Sequence, residues 1–235
     1  MKLGLGLGLF SAAPLSSAPF EPQARGDCEV WFDTRAGVTE ASGVAAWADQ
    51  GPIGDPLRNL AEATNKPDLV TADADFNGED SISFVGANSD RLTSATFAAS
   101  VSQPLTIYLV FRWSAGAGGY VFDGPNTRVA FTYGTGGNGF LYAGASFDVN
   151  TSADTTYVVC LVVNGASSAA YLDDPASAVA TGDAGSDVFD SLKLGARFTN
   201  ANFLTGKIAA FGAFSGAHNQ TDRTEIMNGL SARYQ

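Results

Sequence analysis

The sequence predicts an all-β protein, an antiparallel β-sandwich that is closed by one short C-terminal helix. Residues 105–113 alternate between two faces over nine positions, which indicates a strand with one face in a core. Other short apolar segments follow at close spacing, with connectors rich in Gly, Asp, Asn and Ser, as is typical of sandwiches. Near the C-terminus, apolar residues instead recur every four positions, which indicates a helix.

The predicted strands begin with residues 28–32. The stretch 37–50 comes next and precedes a Gly/Pro turn at 51–56. Residues 158–163 are apolar on both faces, so their strand is expected to be central and covered. The remaining predicted strands are 81–85, 105–113, 119–122, 128–133, 139–143, 155–163, 169–172, 191–194 and 206–214.

The closing helix is predicted from its start signal and its apolar stripe. Asp222 and Glu225 have the spacing of a capping box. Ile226, Leu230 and Tyr234 then form one stripe. Large apolar side chains on the predicted strands are expected to build the core: Trp31, Trp47, Phe84, Leu109, Phe111, Val159, Leu161 and Phe211.

The composition excludes several classes of protein. The chain has 235 residues, 24 of them acidic and 13 basic, and its net charge is −11. Nucleic acids and anionic membranes are therefore not expected as partners, because both require basic surfaces. The chain has one histidine and two cysteines, which are too few ligands for a zinc site built from His and Cys. Cys28 and Cys160 are expected to be reduced, and a disulfide between them is the alternative.

Residues 1–26 are predicted to form an extended N-terminal arm and linker, and residues 27–235 a single sandwich domain. Leu3, Leu5, Leu7 and Leu9 alternate with glycines, which suits an extended segment with one apolar edge. A secretory signal is the alternative, although repeated glycines weaken the helix that a signal requires. The four leucines are expected to pack on a neighbouring chain, which makes the protein a homo-oligomer or part of a larger assembly.

Three groups of motifs resemble the concanavalin A-like, laminin G-like sandwich superfamily. The most specific is a strand at 203–211 followed by the closing helix. Pro52 departs from the Ser-Gly that commonly ends the first motif, so that loop is altered. The other matching blocks are VWFD at 30–33, VAAWADQG at 44–51, and the spaced residues at 66–67, 76–78, 82–84 and 90–92.

No catalytic constellation is found. Glycosidases on this sandwich carry acid residues in an E-x-D-x-E or E-x-D-x-x-E pattern, whereas no two glutamates of this chain lie within five residues of each other. Residues 134–139 match G-x-G-x-x-G, but a strand follows where a dinucleotide site needs a helix, so a hairpin loop is expected. His218 is expected at the surface or at the helix cap, because no nucleophile elbow accompanies it.

Two kinds of ligand site are considered. Tyr133, Asn138 and Tyr142 around the glycine loop are the candidate glycan-binding residues, with packing of both tyrosines as the alternative. No cofactor is expected except Ca²⁺, which loop oxygens could hold in such a sandwich. The acidic and amide residues considered for Ca²⁺ are Asp123, Asn126, Asp148, Asp183 and Asp187.

The Leu-Gly arm joined to such a domain resembles structural proteins of tailed-phage virions. The resemblance implies a non-enzymatic protein of the phage head or tail, located in the virion and bound by its arm to capsid or tail subunits. The alternative hypothesis is a carbohydrate-binding adhesin that recognises a glycan on a host cell surface.

Overall fold

Two antiparallel sheets and one α-helix make up the computed structural model, which describes residues 20–116, 118–124 and 127–235. The predicted all-β sandwich with a C-terminal helix is confirmed. In this described part, no helix has the length and hydropathy needed to cross a membrane. The strands are β1 (Cys28–Asp33), β2 (Val38–Glu40), β3 (Val44–Trp47), β4 (Leu60–Ala61), β5 (Asp68–Asp73), β6 (Glu79–Phe84), β7 (Leu92–Thr93), β8 (Leu105–Trp113), β9 (Gly119–Asp123), β10 (Ala130–Tyr133), β11 (Phe140–Tyr142), β12 (Ser146–Asp148), β13 (Tyr157–Val163), β14 (Ser168–Leu172), β15 (Ala180–Gly182), β16 (Lys193–Leu194) and β17 (Gly206–Ser215), and the helix is α1 (Gln220–Tyr234).

The first sheet contains the long apolar strands. β8 and β17 lie side by side along their full lengths, and β13 pairs with the other edge of β8. The far edge of β17 is shared by β6 and β1. The strand order is β15-β14-β13-β8-β17-β6-β5, with β1 beside β17.

The second sheet is built from shorter strands. Its middle is formed by β9, β16 and β7, which connect the long hairpins to the small strands near the N-terminus. Several of its strands have two to four residues, which explains why the sequence pattern identified only some of them. The order is β12-β11-β10-β9-β16-β7-β4-β3-β2.

The main core fills the space between the sheets. In β8, Leu109 and Phe111 point into it, whereas Tyr108 and Val110 point to the opposite face, as the alternation predicts. All eight predicted core side chains are buried. Trp31 differs from the other seven, because its position in β1 turns it toward a second apolar cluster.

This second cluster lies between the first sheet and α1. Ile226, Leu230 and Tyr234 of α1 are buried on it, so the predicted stripe is confirmed, as is the covered strand at 158–163. The predicted capping box is wrong by one turn. The predicted box was Asp222 with Glu225, whereas Asn219 is the N-cap residue and Asp222 is its partner. The Asp222 amide donates to Asn219 Oδ1, and the Asn219 amide donates to Asp222 Oδ2.

The described segment before β1 packs against the same helix. The Phe20 ring lies directly on Gly229, and the Arg233 guanidinium is 5.1 Å from the ring centre. Arg25 pairs with Asp27 at 3.0 Å and with Asp222 at 2.9 Å. The outer face of the first sheet is therefore covered, whereas α1 leaves the outer face of the second sheet open.

Candidate functional site

A row of four side chains crosses the outer face of the second sheet. Tyr120 of β9 pairs with Thr132 of β10, and Phe140 of β11 pairs with Asp148 of β12. The Phe140 amide donates to the Thr132 hydroxyl oxygen at 3.0 Å, which joins the two halves of the row. The neighbouring residues Phe131 and Leu141 are in the core, so alternation places this row on the outside.

An open cavity of about 280 Å³ lies at one end of this row. The buried Tyr120 and the half-buried Phe140 form its aromatic wall, with ring centres 6.3 Å apart and planes at 89°. The exposed side chains of Asn138 and Asn202 stand at its rim. Its described lining is Gly118, Gly119, Tyr120, Thr132, Tyr133, Gly134, Asn138, Phe140 and Asn202. Aromatic faces together with amide groups can bind a polar ring-shaped ligand by contact and hydrogen bonds.

Glycines allow the chain to form this cavity. Gly137 has φ +88°, and a Cβ there would lie 2.1 Å from the Thr151 carbonyl oxygen. At Gly119 a Cβ would lie 2.7 Å from the Phe203 carbonyl oxygen. The predicted hairpin loop at 134–139 is confirmed, since it connects β10 to β11 through a short 3-10 turn at Thr135–Gly137.

Of the three predicted glycan-binding residues, Tyr133 and Asn138 line this cavity. The Tyr133 ring is stacked on Trp113, with ring centres 4.7 Å apart, and its hydroxyl oxygen accepts from the Thr205 amide at 3.0 Å. Burial raises the pKa of Tyr133. Its side chain is 2% exposed, so Tyr133 forms the rigid floor of the cavity.

The third predicted residue, Tyr142, lies two residues along β11 from Phe140 and outside the described cavity lining. The Arg128 guanidinium is 4.7 Å from its ring centre and 4.8 Å from that of Phe198. Asp123 is buried and holds Arg128 through contacts of 3.1 and 3.0 Å. Tyr142 therefore belongs to an aromatic and cationic cluster next to the cavity.

Those residues considered for Ca²⁺ that the structure describes do not form a shared metal site. Asp123 is occupied by Arg128 and by the Phe198 amide at 2.9 Å. Asp183 is exposed and accepts from the Gly185 amide, while Asp148 is exposed on β12. Among residues 20–116, 118–124 and 127–235, no three His, Cys, Asp or Glu side chains form a group that could hold a metal. Asn126, like the arm residues Leu3, Leu5, Leu7 and Leu9, lies outside the described residues.

His218 is buried, and the prediction that it lies at the surface or caps the helix is wrong. Its Nδ1 is 2.8 Å from the Tyr108 hydroxyl, and its Nε2 is 3.3 Å from an Asp27 carboxylate oxygen. Burial lowers the pKa of His218, although Asp27 acts in the opposite direction. The reason for the error is tertiary, because the outer face of β8 supplies Tyr108 and a residue far upstream supplies the carboxylate.

The two cysteines are unpaired and buried beneath α1. Burial raises the pKa of the Cys28 thiol to about 12, and it does the same for Cys160. Neither thiol is near the cavity, since both belong to the cluster on the opposite side of the sandwich.

The fold is similar to parts of several solved carbohydrate-active enzymes. A Trypanosoma rangeli sialidase in complex with sialic acid matches with a TM-score of 0.60 and 11% identity, over 88% of this chain and 33% of the sialidase. Domain 4 of a GH43 arabinanase from Geobacillus stearothermophilus, in complex with arabinotriose, matches with a TM-score of 0.56 and 12% identity, over 86% of this chain and 99% of that domain. A mutant GH54 α-L-arabinofuranosidase matches with a TM-score of 0.61 and 12% identity, over 82% of this chain and 51% of the arabinofuranosidase.

This chain therefore spans about a third of the sialidase and about half of the arabinofuranosidase. At such identities the likeness shows the fold alone. No protein-family model and no curated protein matches the sequence.

These neighbours correct two predictions. The sequence motifs predict a structural protein of a phage virion, whereas the neighbours are carbohydrate-active enzymes or a domain of one, and no phage protein is among those described. The prediction that the chain has no enzymatic activity is also overturned, because its fold is that of parts of enzymes. The missing glutamate pattern excludes one arrangement of catalytic acids, which is a narrower conclusion than the absence of activity.

Tyr120, Phe140 and Asn202 were not identified from the sequence. Phe140 carried a signal, because it alternates with the core residue Leu141 and so had to face outward. Nothing in the sequence indicated Asn202, because it belongs to the loop between β16 and β17. That loop reaches the cavity through the Asn202 carbonyl, which accepts from the Tyr120 amide at 3.0 Å.

Proposed function

We propose that this domain is a concanavalin A-like sandwich that binds an oligosaccharide in the cavity between Tyr120, Phe140, Asn138 and Asn202. The observation that carries the proposal is the pairing of an aromatic wall with two exposed amides on the sheet face that α1 leaves open. Sugar rings present C–H groups that pack on aromatic faces, and hydroxyls that exchange hydrogen bonds with amides.

The similarity to the arabinanase domain supports this proposal. That domain was solved as a chain of its own with arabinotriose, and its length is matched almost entirely by this chain. The proposal concerns binding and assigns no catalytic residue. The described residues that line the cavity are aromatic, amide, hydroxyl and glycine residues, which suit contact and hydrogen bonding better than proton transfer.

The first prediction tests this site with the full chain and an array of oligosaccharides that includes arabinotriose. Replacing the aromatic wall in Phe140→Ala, or an amide in Asn138→Ala, is expected to weaken binding about tenfold or more, because each change removes a contact at the centre of a small site. Calorimetric titration of the best array ligand gives the dissociation constants.

Asn228→Ala is the matched control. Asn228 is exposed on α1, on the other side of the sandwich, so its removal should leave affinity unchanged. Binding that survives both cavity substitutions would contradict the proposed site. Failure of the unaltered protein to bind any glycan on the array would contradict the proposed function.

A further inference from the structure

Arg197 differs from the other described arginines. The guanidinium of each of the other arginines donates to a carboxylate or a carbonyl oxygen of the protein. In the described part of the chain, Arg197 has no such acceptor, and its Nε is shielded from solvent without a hydrogen-bond partner. An unpaired guanidinium is unexpected in a protein with a net charge of −11, since carboxylates are abundant.

Arg197 is also close to the proposed sugar site. Its guanidinium carbon is 5.9 Å from the ring centre of Tyr120, which lines the cavity. Its amide donates to the Ala201 carbonyl at 2.9 Å, which closes a turn that ends next to Asn202 at the rim. Arg197 thus lies within the span of one further sugar unit from the cavity.

The turn that carries Arg197 is held in place by the second sheet. The buried Asp123 carboxylate accepts from the Phe198 amide at 2.9 Å. The Lys193 ammonium, which is also buried and unpaired with any described carboxylate, donates to the Phe198 carbonyl at 3.1 Å and to Asn200 Oδ1 at 2.5 Å. The backbone of the turn that carries Arg197 is therefore held in place before a ligand arrives, which favours binding.

We infer that the ligand is an acidic oligosaccharide, with one sugar in the cavity and the carboxylate of an adjacent uronic acid unit on Arg197. The inference rests on the proposed function and specifies its ligand class. A guanidinium binds a carboxylate through paired, charge-assisted hydrogen bonds, which a neutral sugar cannot form.

The test compares ligands that differ only in charge. Calorimetric titrations use a galacturonate trisaccharide and a hyaluronan tetrasaccharide, each in parallel with its carboxyl-methylated ester. The unaltered protein is expected to bind at least one acid about tenfold more tightly than its ester, and the preference should shrink as salt increases. Arg197→Gln should abolish the preference but keep the ester affinity, while Arg197→Lys should retain part of the preference.

Lys66→Gln is the matched control, because it removes one positive charge near the opposite edge of the second sheet. It should leave the preference unchanged. Equal affinity of the unaltered protein for acids and esters, or an acid preference that survives Arg197→Gln, would overturn the inference while the cavity remains a sugar site. Lack of binding to every acid, ester and arrayed glycan would overturn both proposals.

Discussion

Among single residues, His218 links the two ends of the described chain to the first sheet. It lies between Tyr108 and Asp27, with Arg25 and Asp222 as the other charged groups nearby. Burial lowers its pKa below the ordinary value of 6.5, so the folded state prefers the neutral ring. This contribution to stability is complete above the ordinary pKa, and it is lost as the pH falls from that value through the lowered pKa of the folded state.

The second prediction follows from this direction. Between about pH 7.5 and pH 5, the free energy of unfolding should decrease less in His218→Gln than in the unaltered protein, because the unfolded histidine of the latter takes up a proton. Urea unfolding at a series of pH values measures both curves. The difference between them isolates His218 from Asp49 and Asp90, whose pKa values are raised by burial in both proteins. Parallel curves would show that His218 is protonated equally in both states.

The candidate site shows how far single residues can be predicted from sequence. Tyr133 and Asn138 were identifiable because one precedes and the other belongs to a glycine loop between two predicted strands. The burial of Tyr133 was not predictable, since it depends on stacking with Trp113 from a strand of the other sheet. Arg197 carried no signal, because its lack of a partner is a property of the folded arrangement.

At the scale of elements, α1 depends on its N-terminal cap as well as on its apolar stripe. Asn219 Oδ1 accepts from the amides of Thr221 at 2.7 Å and Asp222 at 3.2 Å. As the third prediction, Asn219→Ala should lower the free energy of unfolding by about 1 kcal/mol, because these amides lose their acceptor. Asn228→Ala in the middle of the same helix should not lower the free energy of unfolding. Chemical denaturation measures this free energy for both variants. Equal stability of both variants would contradict the role of the cap.

The elements were predictable where one face is apolar and the segment is long. β8 and β13 have that pattern, and so does the stripe of α1. β5 was missed because it lies at the edge of the first sheet. Most of its side chains are exposed or half-buried, so its sequence shows no apolar alternation. The capping box was misplaced because the sequence offers the same spacing at two positions, Asn219 with Asp222 and Asp222 with Glu225, and the folded helix begins at the first of them.

For the whole molecule, the two outer faces of the sandwich have different roles. The first sheet is sealed by α1 over an apolar cluster, and the second sheet presents the row of four side chains and the cavity. The overall acidity did not indicate a ligand, because net charge describes the whole surface, whereas the proposed ligand contact depends on one local group, Arg197. Positions that are far apart and share no partners contribute independently to stability and binding.

The last prediction combines these two faces in one measurement. Cys28 and Cys160 lie under α1 with thiol pKa values raised to about 12, so a thiol reagent should react with them only when the helix side opens. Asn219→Ala should speed their labelling about fivefold, because a loss of about 1 kcal/mol makes the open state about five times more populated. The same variant should bind the cavity ligand with unchanged affinity, because the site is on the other sheet. If the cysteines of the unaltered protein are labelled as fast as an exposed thiol, their buried position is contradicted. If folded Asn219→Ala binds the ligand more weakly, the two faces are coupled.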